Sequence, residues 1–306
     1  MKKVTLAMII VWSIVGIFLV GALVYGLVTR GSFLPFWNNS SAREVIFDES
    51  FNVDDFENII LSLTSDETKV FVTDEDSIRV VQYGINLNEN RKIKVVSQNR
   101  RELNISGSNF SGNFFSFGFN YSRSFVELYI PESYNGKLDI SLTSGPITFE
   151  DEIDLADLDI RLSSGTVRSD YAINVSGRTN IRVTSGTIKL YGGLSTDRYN
   201  ISVSSGTINI DKHLIGSGDI STSSGMIKAY GVDITEELSA KVTSGTLTLG
   251  VVNDALDFDA TVSSGYINTY FSTQDQGKRK TASFGDAPRK KLDVSVNSGT
   301  LRIEKY

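Results

Sequence analysis

The chain of 306 residues contains no cysteine and a single histidine, His213. The first absence excludes disulfides, thiolate nucleophiles, cysteine-ligated metals and an N-terminal lipidated cysteine. The second excludes any site built from several histidines. Only four prolines and two tryptophans occur. Excess charge of one sign is also missing: the formal net charge of −6 is mild for this length, so nothing points to nucleic acid as a partner. Helical periodicity is missing everywhere beyond the N-terminal segment. What remains is 26 glycines among many Ser, Thr, Asn and Asp, with 40% hydrophobic and 22% charged residues. Such a composition builds a core and suits a turn-rich all-β chain.

The dominant pattern is a Ser-Gly step repeated eight times: Ser144-Gly145, Ser164-Gly165, Ser185-Gly186, Ser205-Gly206, Ser224-Gly225, Ser244-Gly245, Ser264-Gly265 and Ser298-Gly299. Successive glycines are 20, 21, 20, 19, 20, 20 and 34 residues apart. A period that regular marks stacked equivalent coils, none able to bury its apolar face alone. Apolar residues stand five and three residues before each glycine (Ile140/Leu142, Ile160/Leu162, Ile181/Val183), save Thr222 before Gly225, and, in most repeats, two and four after it (Ile147/Phe149, Ile188/Leu190). Each flank therefore reads as a strand with one buried face. The inward positions at −3 and +2 are five apart, an odd number, so the Ser-Gly pair must break the alternation as a bend or bulge. Glycine suits such a bend through its access to positive φ, and the serine hydroxyl can bond the turn backbone or a stacked copy of itself. Stacking at ~4.8 Å puts the strands in parallel. The expected fold is an all-β solenoid of ~20-residue coils; a stack of antiparallel hairpins is the rival.

Residues 44–137 are less regular but alternate in the same way, with Thr64-Ser65-Asp66 as a degenerate bend, and read as irregular N-terminal coils and a cap before the regular repeats of 138–306. The last strand, Thr300 to Tyr306, is expected to leave an open edge.

Val4 to Val28 carries no charge over 25 residues. As a helix at ~1.5 Å per residue it would reach ~37 Å, enough to cross a bilayer with tilt. Lys2 and Lys3 precede it, which predicts a cytoplasmic tip at residues 1–3 and an exterior C-terminal domain joined by a tether at 29–43. The apolar run is longer than that of a cleaved signal peptide, the alternative reading.

Three stretches, VELYIPESYNGKLDISLTSGPITFE, the SSGTI-type series and SFGDAPRKKLDVSVNSGTLRI, resemble the bacterial "putative adhesin" family, a domain of unknown function. That family includes membrane-anchored proteins encoded with envelope-stress systems such as the Lia system. The resemblance runs from about Val45 to the end. It implies a stacked-repeat, membrane-tethered exterior domain, and it brings no catalytic residues.

Signs of chemistry are sparse. The acidic run Glu150 to Asp159, with Arg161, Arg168, Arg178 and Arg182 in the next coils, is the nearest thing to a catalytic set, but aligned positions in later coils hold Ser, Asn, Lys or Thr. Asp54-Asp55 and Asp74-Glu75-Asp76 are oxygen-rich yet match no calcium loop. His213 reads as an exposed loop residue with no triad spacing. No cofactor and no metal is expected. Two segments are candidate contacts. Asn109 to Tyr121 holds Phe114, Phe115 and Phe117 and is either a buried cap or a sticky patch. Ser272 to Lys291 holds Lys278, Arg279 and Lys280 and is either a solvated hairpin or a contact for anionic polymer or headgroups. These observations predict a non-enzymatic binding, adhesion or scaffolding module at the cell envelope, whose partner is a wall polymer, a glycan or an envelope protein. The alternatives are a polysaccharide-acting enzyme on a β-helix and an envelope-stress accessory protein.

Overall fold

The computed structural model describes residues 43–85, 87, 92–98, 101–107 and 123–306. The predicted tip, the anchor Val4–Val28, all of the tether but Arg43, and the phenylalanines Phe114, Phe115 and Phe117 lie outside the described residues. Among the described residues no helix is long and apolar enough to cross a membrane. They form 25 strands and one short 3-10 turn, Val53–Asp55.

The strands before the bends stack in parallel, residue for residue. Ile140 pairs with Ile160, then come Ile181, Ile201, Ile220, Ala240, Val294 and Ala260. The strands after the bends form a second parallel column through Ile147, Val167, Ile188, Ile208, Ile227, Leu247, Leu301 and Ile267. A third side runs through Ile153, Ile173, Leu194, Leu214 and Val232, as a coil of ~20 residues has room for. All of these apolar residues are buried, and they join one continuous core with Ile59, Leu61 and Val70 of the N-terminal part. The expected solenoid is thus the observed one, with three strand-bearing sides per coil. The parallel rule fails only at the ends, where antiparallel strands cover the stack.

The bends correct one expectation. None of the eight Ser-Gly glycines has a positive φ; among the described residues the glycines that do are Gly193, Gly216, Gly218, Gly231, Gly277 and Gly285. Close approach, not handedness, requires glycine there. A Cβ on Gly165, Gly186, Gly206, Gly225, Gly245, Gly299 or Gly265 would come within the 3.0 Å that real Cβ atoms avoid, against the carbonyl oxygen of the bend glycine one coil below. That same oxygen accepts the backbone N–H of the residue after the next glycine, as from Thr187 to Gly165 at 3.0 Å. The serine side chains are exposed. Ser144 Oγ donates to Thr64 O at 2.9 Å, but the other seven serines contribute to the ladder through their backbone N–H, for example Ser185 to Ser163 O at 2.8 Å.

Coil order departs from chain order at both ends. Lys290–Val296 lies between residues 237–242 and Leu256–Val262, and Thr300–Lys305 lies between Thr246–Val251 and Tyr266–Thr269. The final strand is therefore interior, and the expected open edge at Thr300 to Tyr306 does not exist. The Gly265 coil is outermost instead, and Arg279–Phe284 covers its first strand antiparallel. At the other end the coil of Asn58–Leu63 and Glu67–Thr73, with its Thr64-Ser65-Asp66 bend, sits between the Gly145 coil and an outer pair, Glu102–Ser106 and Arg123–Pro131. Ser77–Ile85 and Glu44–Asn52 extend that outer pair antiparallel. A bidentate arginine–aspartate pair clips each cap. Arg79 grips Asp48 at 2.8 and 2.7 Å, and Arg279 grips Asp259 through Nε at 2.9 Å and a second guanidinium nitrogen.

Candidate ligand-binding face

The outer surface of the pre-bend column is set by residues eight, six and four before each bend glycine, because period 2 turns these outward while −7, −5 and −3 face the core. At −6 the column reads Asp139, Asp159, Asn180, Asn200, Asp219, Ser239, Asp293 and Asp259. Asparagine replaces aspartate in the two coils whose −8 and −4 positions carry Arg178, Arg182 and Arg198. Arg161 stands opposite Arg182, and Arg178 opposite Arg198, on adjacent parallel strands.

Charge is balanced on one side of this group only. In the Gly145 and Gly165 coils, Lys137 Nζ lies 3.0 Å from Asp159, and Arg161 lies 2.8 Å from Asp139 and 3.1 Å from Asp159. In the next two coils Arg198 reaches Glu236 at 3.5 Å, and among the described residues Arg178 and Arg182 have no ion-pair partner within 4.0 Å. Asp157 accepts the backbone N–H of Arg178 at 2.7 Å. Two shallow depressions open here. One of about 550 Å³ is lined by Lys137, Asp157, Asp159, Arg178, Asn180, Asp197 and Arg198, and one of about 160 Å³ by Asp159, Arg161, Asn180, Arg182, Asn200 and Ser202.

Most of the other charged candidates are internally paired. In the basic segment Arg279 is held by Asp259, Lys280 by Asp275, and Lys291 by Asp293 at 2.8 Å; Arg289 and Lys290 donate to the carbonyls of Gly285 and Thr235. Lys278 stays exposed. The acidic run is spread around the coil instead of converging. Glu150 pairs with Lys69, Asp151 accepts from Val72 N–H, and Glu152 and Asp154 both accept from Asn174. Among the described residues no three His, Cys, Asp or Glu are grouped so as to hold a metal.

The carboxylates whose titration is shifted, Asp48, Asp259 and Asp275, are all lowered, first by hydrogen bonds from Arg79, Arg279 and Lys280. A general acid needs the opposite shift. His213 is half-buried, contrary to the exposed position expected. Its ring fills the space beside Gly193, and burial, then Lys212, lowers its pKa.

Arg161, Arg178 and Arg182 stand out in the sequence by following the acidic run, whereas Arg198, Asn180 and Asn200 do not. Counting back from each glycine by eight, six and four would have found them.

A family model described as Toastrack DUF4097 matches residues 56–304. Among solved structures, a "putative adhesin" of Bacteroides fragilis is 14% identical with a TM-score of 0.54, covering 86% of this chain and 98% of that one. A "putative lipid binding protein" of Parabacteroides distasonis is 16% identical with a TM-score of 0.52, covering 85% and 96%. Both show the fold alone. No curated protein matches the chain.

Proposed function

We propose a non-enzymatic binding role for this chain, which belongs to the Toastrack DUF4097 family. The chain works as a membrane-anchored adhesion or scaffolding module on the outside of a bacterial cell, held by Val4–Val28 with its N-terminus in the cytoplasm. The observation that carries this reading is the character of the surface. It consists of flat, repetitive, hydrogen-bonding faces, while the carboxylates of the acidic run are dispersed and those whose titration is shifted elsewhere, Asp48, Asp259 and Asp275, are lowered. Such faces suit weak contacts repeated along a polymer or a partner protein. The uncharged N-terminal run and the lysines before it support the anchoring and its direction.

The test is made on the full chain in a bacterial host. Protease added outside intact cells should remove the C-terminal domain, and deletion of residues 1–30 should release it from the membrane fraction. A domain shielded from external protease, with cytoplasmic reporters active at its C-terminus, would overturn the reading.

A further inference from the structure

We propose that the arginine face is a binding site for a linear phosphodiester polymer; this rests on the exterior binding role above and gives it a ligand class. Like charges placed directly opposite on neighbouring strands destabilise a sheet. The Arg178–Arg198 pair is such an arrangement, at the ~4.8 Å spacing of adjacent strands. Arg182 repeats it against Arg161, whose own charge is already satisfied by Asp139 and Asp159. In a protein of net charge −6, these coils lack the aspartate that five of the other six carry between their flanking positions and hold Asn180 and Asn200, which donate hydrogen bonds without repelling an anion. Asp197 is the one exposed carboxylate lining the larger depression beside them that the bonds above leave out. The repulsion is relieved when an anion with two oxygens bridges the pair, one guanidinium to each oxygen, the geometry for which arginine is suited.

The second requirement is a chain and not a lone ion. Residues −8 and −4 are four apart along a strand, roughly 13 Å at ~3.3 Å per residue, so the two arginine positions can hold two separate anions of one polymer that runs along the strand. A phosphodiester fits best because its charge lies in the polymer backbone. A chain laid along the strand then meets both positions, with the asparagine amide between them. Carboxylates of a uronic-acid polymer project from the side of their rings.

The experiment uses the full chain in nanodiscs with three probes: oligo(glycerol phosphate), oligogalacturonate and a neutral oligoglucan. The expected result is salt-sensitive binding of oligo(glycerol phosphate), weakened at least tenfold in Arg178→Gln/Arg182→Gln and unchanged in Lys278→Gln/Lys280→Gln. Equal binding by the arginine variant, or loss in the lysine variant, overturns the inference. Equal or tighter binding of oligogalacturonate overturns the choice of phosphodiester. Binding of the neutral glycan alone, unaffected by either variant, sinks this inference and leaves the broader binding role intact, which fails separately on the protease test. Matching unfolding midpoints for both variants exclude misfolding as a cause.

Discussion

Tyr199 and Gly218 face each other on neighbouring coils, each seven residues before its bend, and a Cβ on Gly218 would run into the Tyr199 carbonyl. Gly218 also has φ of +148°, a backbone state that side chains rarely adopt. Both features bring a small coil position against a large one, since Thr179 on the other side is small as well. Gly218→Ala should therefore lose about 1–3 kcal/mol from strain alone. Chemical unfolding of the two chains measures it, and an unchanged midpoint would show that the tyrosine backbone can retreat.

Among the described residues the buried Tyr199 hydroxyl has no hydrogen-bond partner, and burial, aided by Asp219, raises its pKa. A buried polar group left unpaired costs about 1–3 kcal/mol. Tyr199→Phe should leave stability equal or higher, whereas Tyr199→Ala should lose about 3–5 kcal/mol through the cavity it opens. Thermal unfolding of both variants separates the hydroxyl from the ring.

Within a bend the two residues should behave oppositely. Gly186→Ala drives a methyl toward the Gly165 carbonyl and the Leu162 side chain, and should lower the unfolding midpoint clearly. Ser185→Ala touches an exposed side chain and should stay within about 0.5 kcal/mol. Ser144→Ala loses the bond to Thr64 and should cost about 0.5–1.5 kcal/mol.

The lone histidine allows a clean titration. Burial lowers the pKa of His213, so the folded state prefers the neutral ring. Its stabilising effect is complete above the unfolded pKa, near 6.5, and is lost as pH falls through the folded value. The imidazole resonance should titrate below 6.5, and His213→Gln should flatten the change in stability between about pH 7 and 5. A resonance titrating above 6.5 would contradict the burial seen at Gly193.

How much of this was legible depends on the range of the interaction. Alternation around each Ser-Gly step identified inward residues such as Ile181 and Val183, because side-chain period and burial are local properties. The need for glycine was visible but its cause was not: positive φ and close backbone approach both select glycine, and only the position of the Gly165 carbonyl beneath Gly186 distinguishes them. The third side through Ile173 and Leu194 was hidden in longer runs such as Ile173–Val183, where a bulge after Val175 resets the register. The 34-residue gap before Gly299 signalled an insertion, yet sequence spacing carries no information about which coil is the neighbour. The arginine face was half-visible for the same reason. Its members were noticed singly, but their opposition across strands exists only once register is known.

The last coil, wedged between two earlier ones, changes how the molecule resists force. A terminal coil stacked on the outside could be peeled away, its backbone bonds breaking one after another under a small load. Tension applied at Tyr306 must instead shear Lys290–Val296 and Thr300–Lys305 against a ladder on each flank at the same time. Both ladders must then yield together, and not bond by bond.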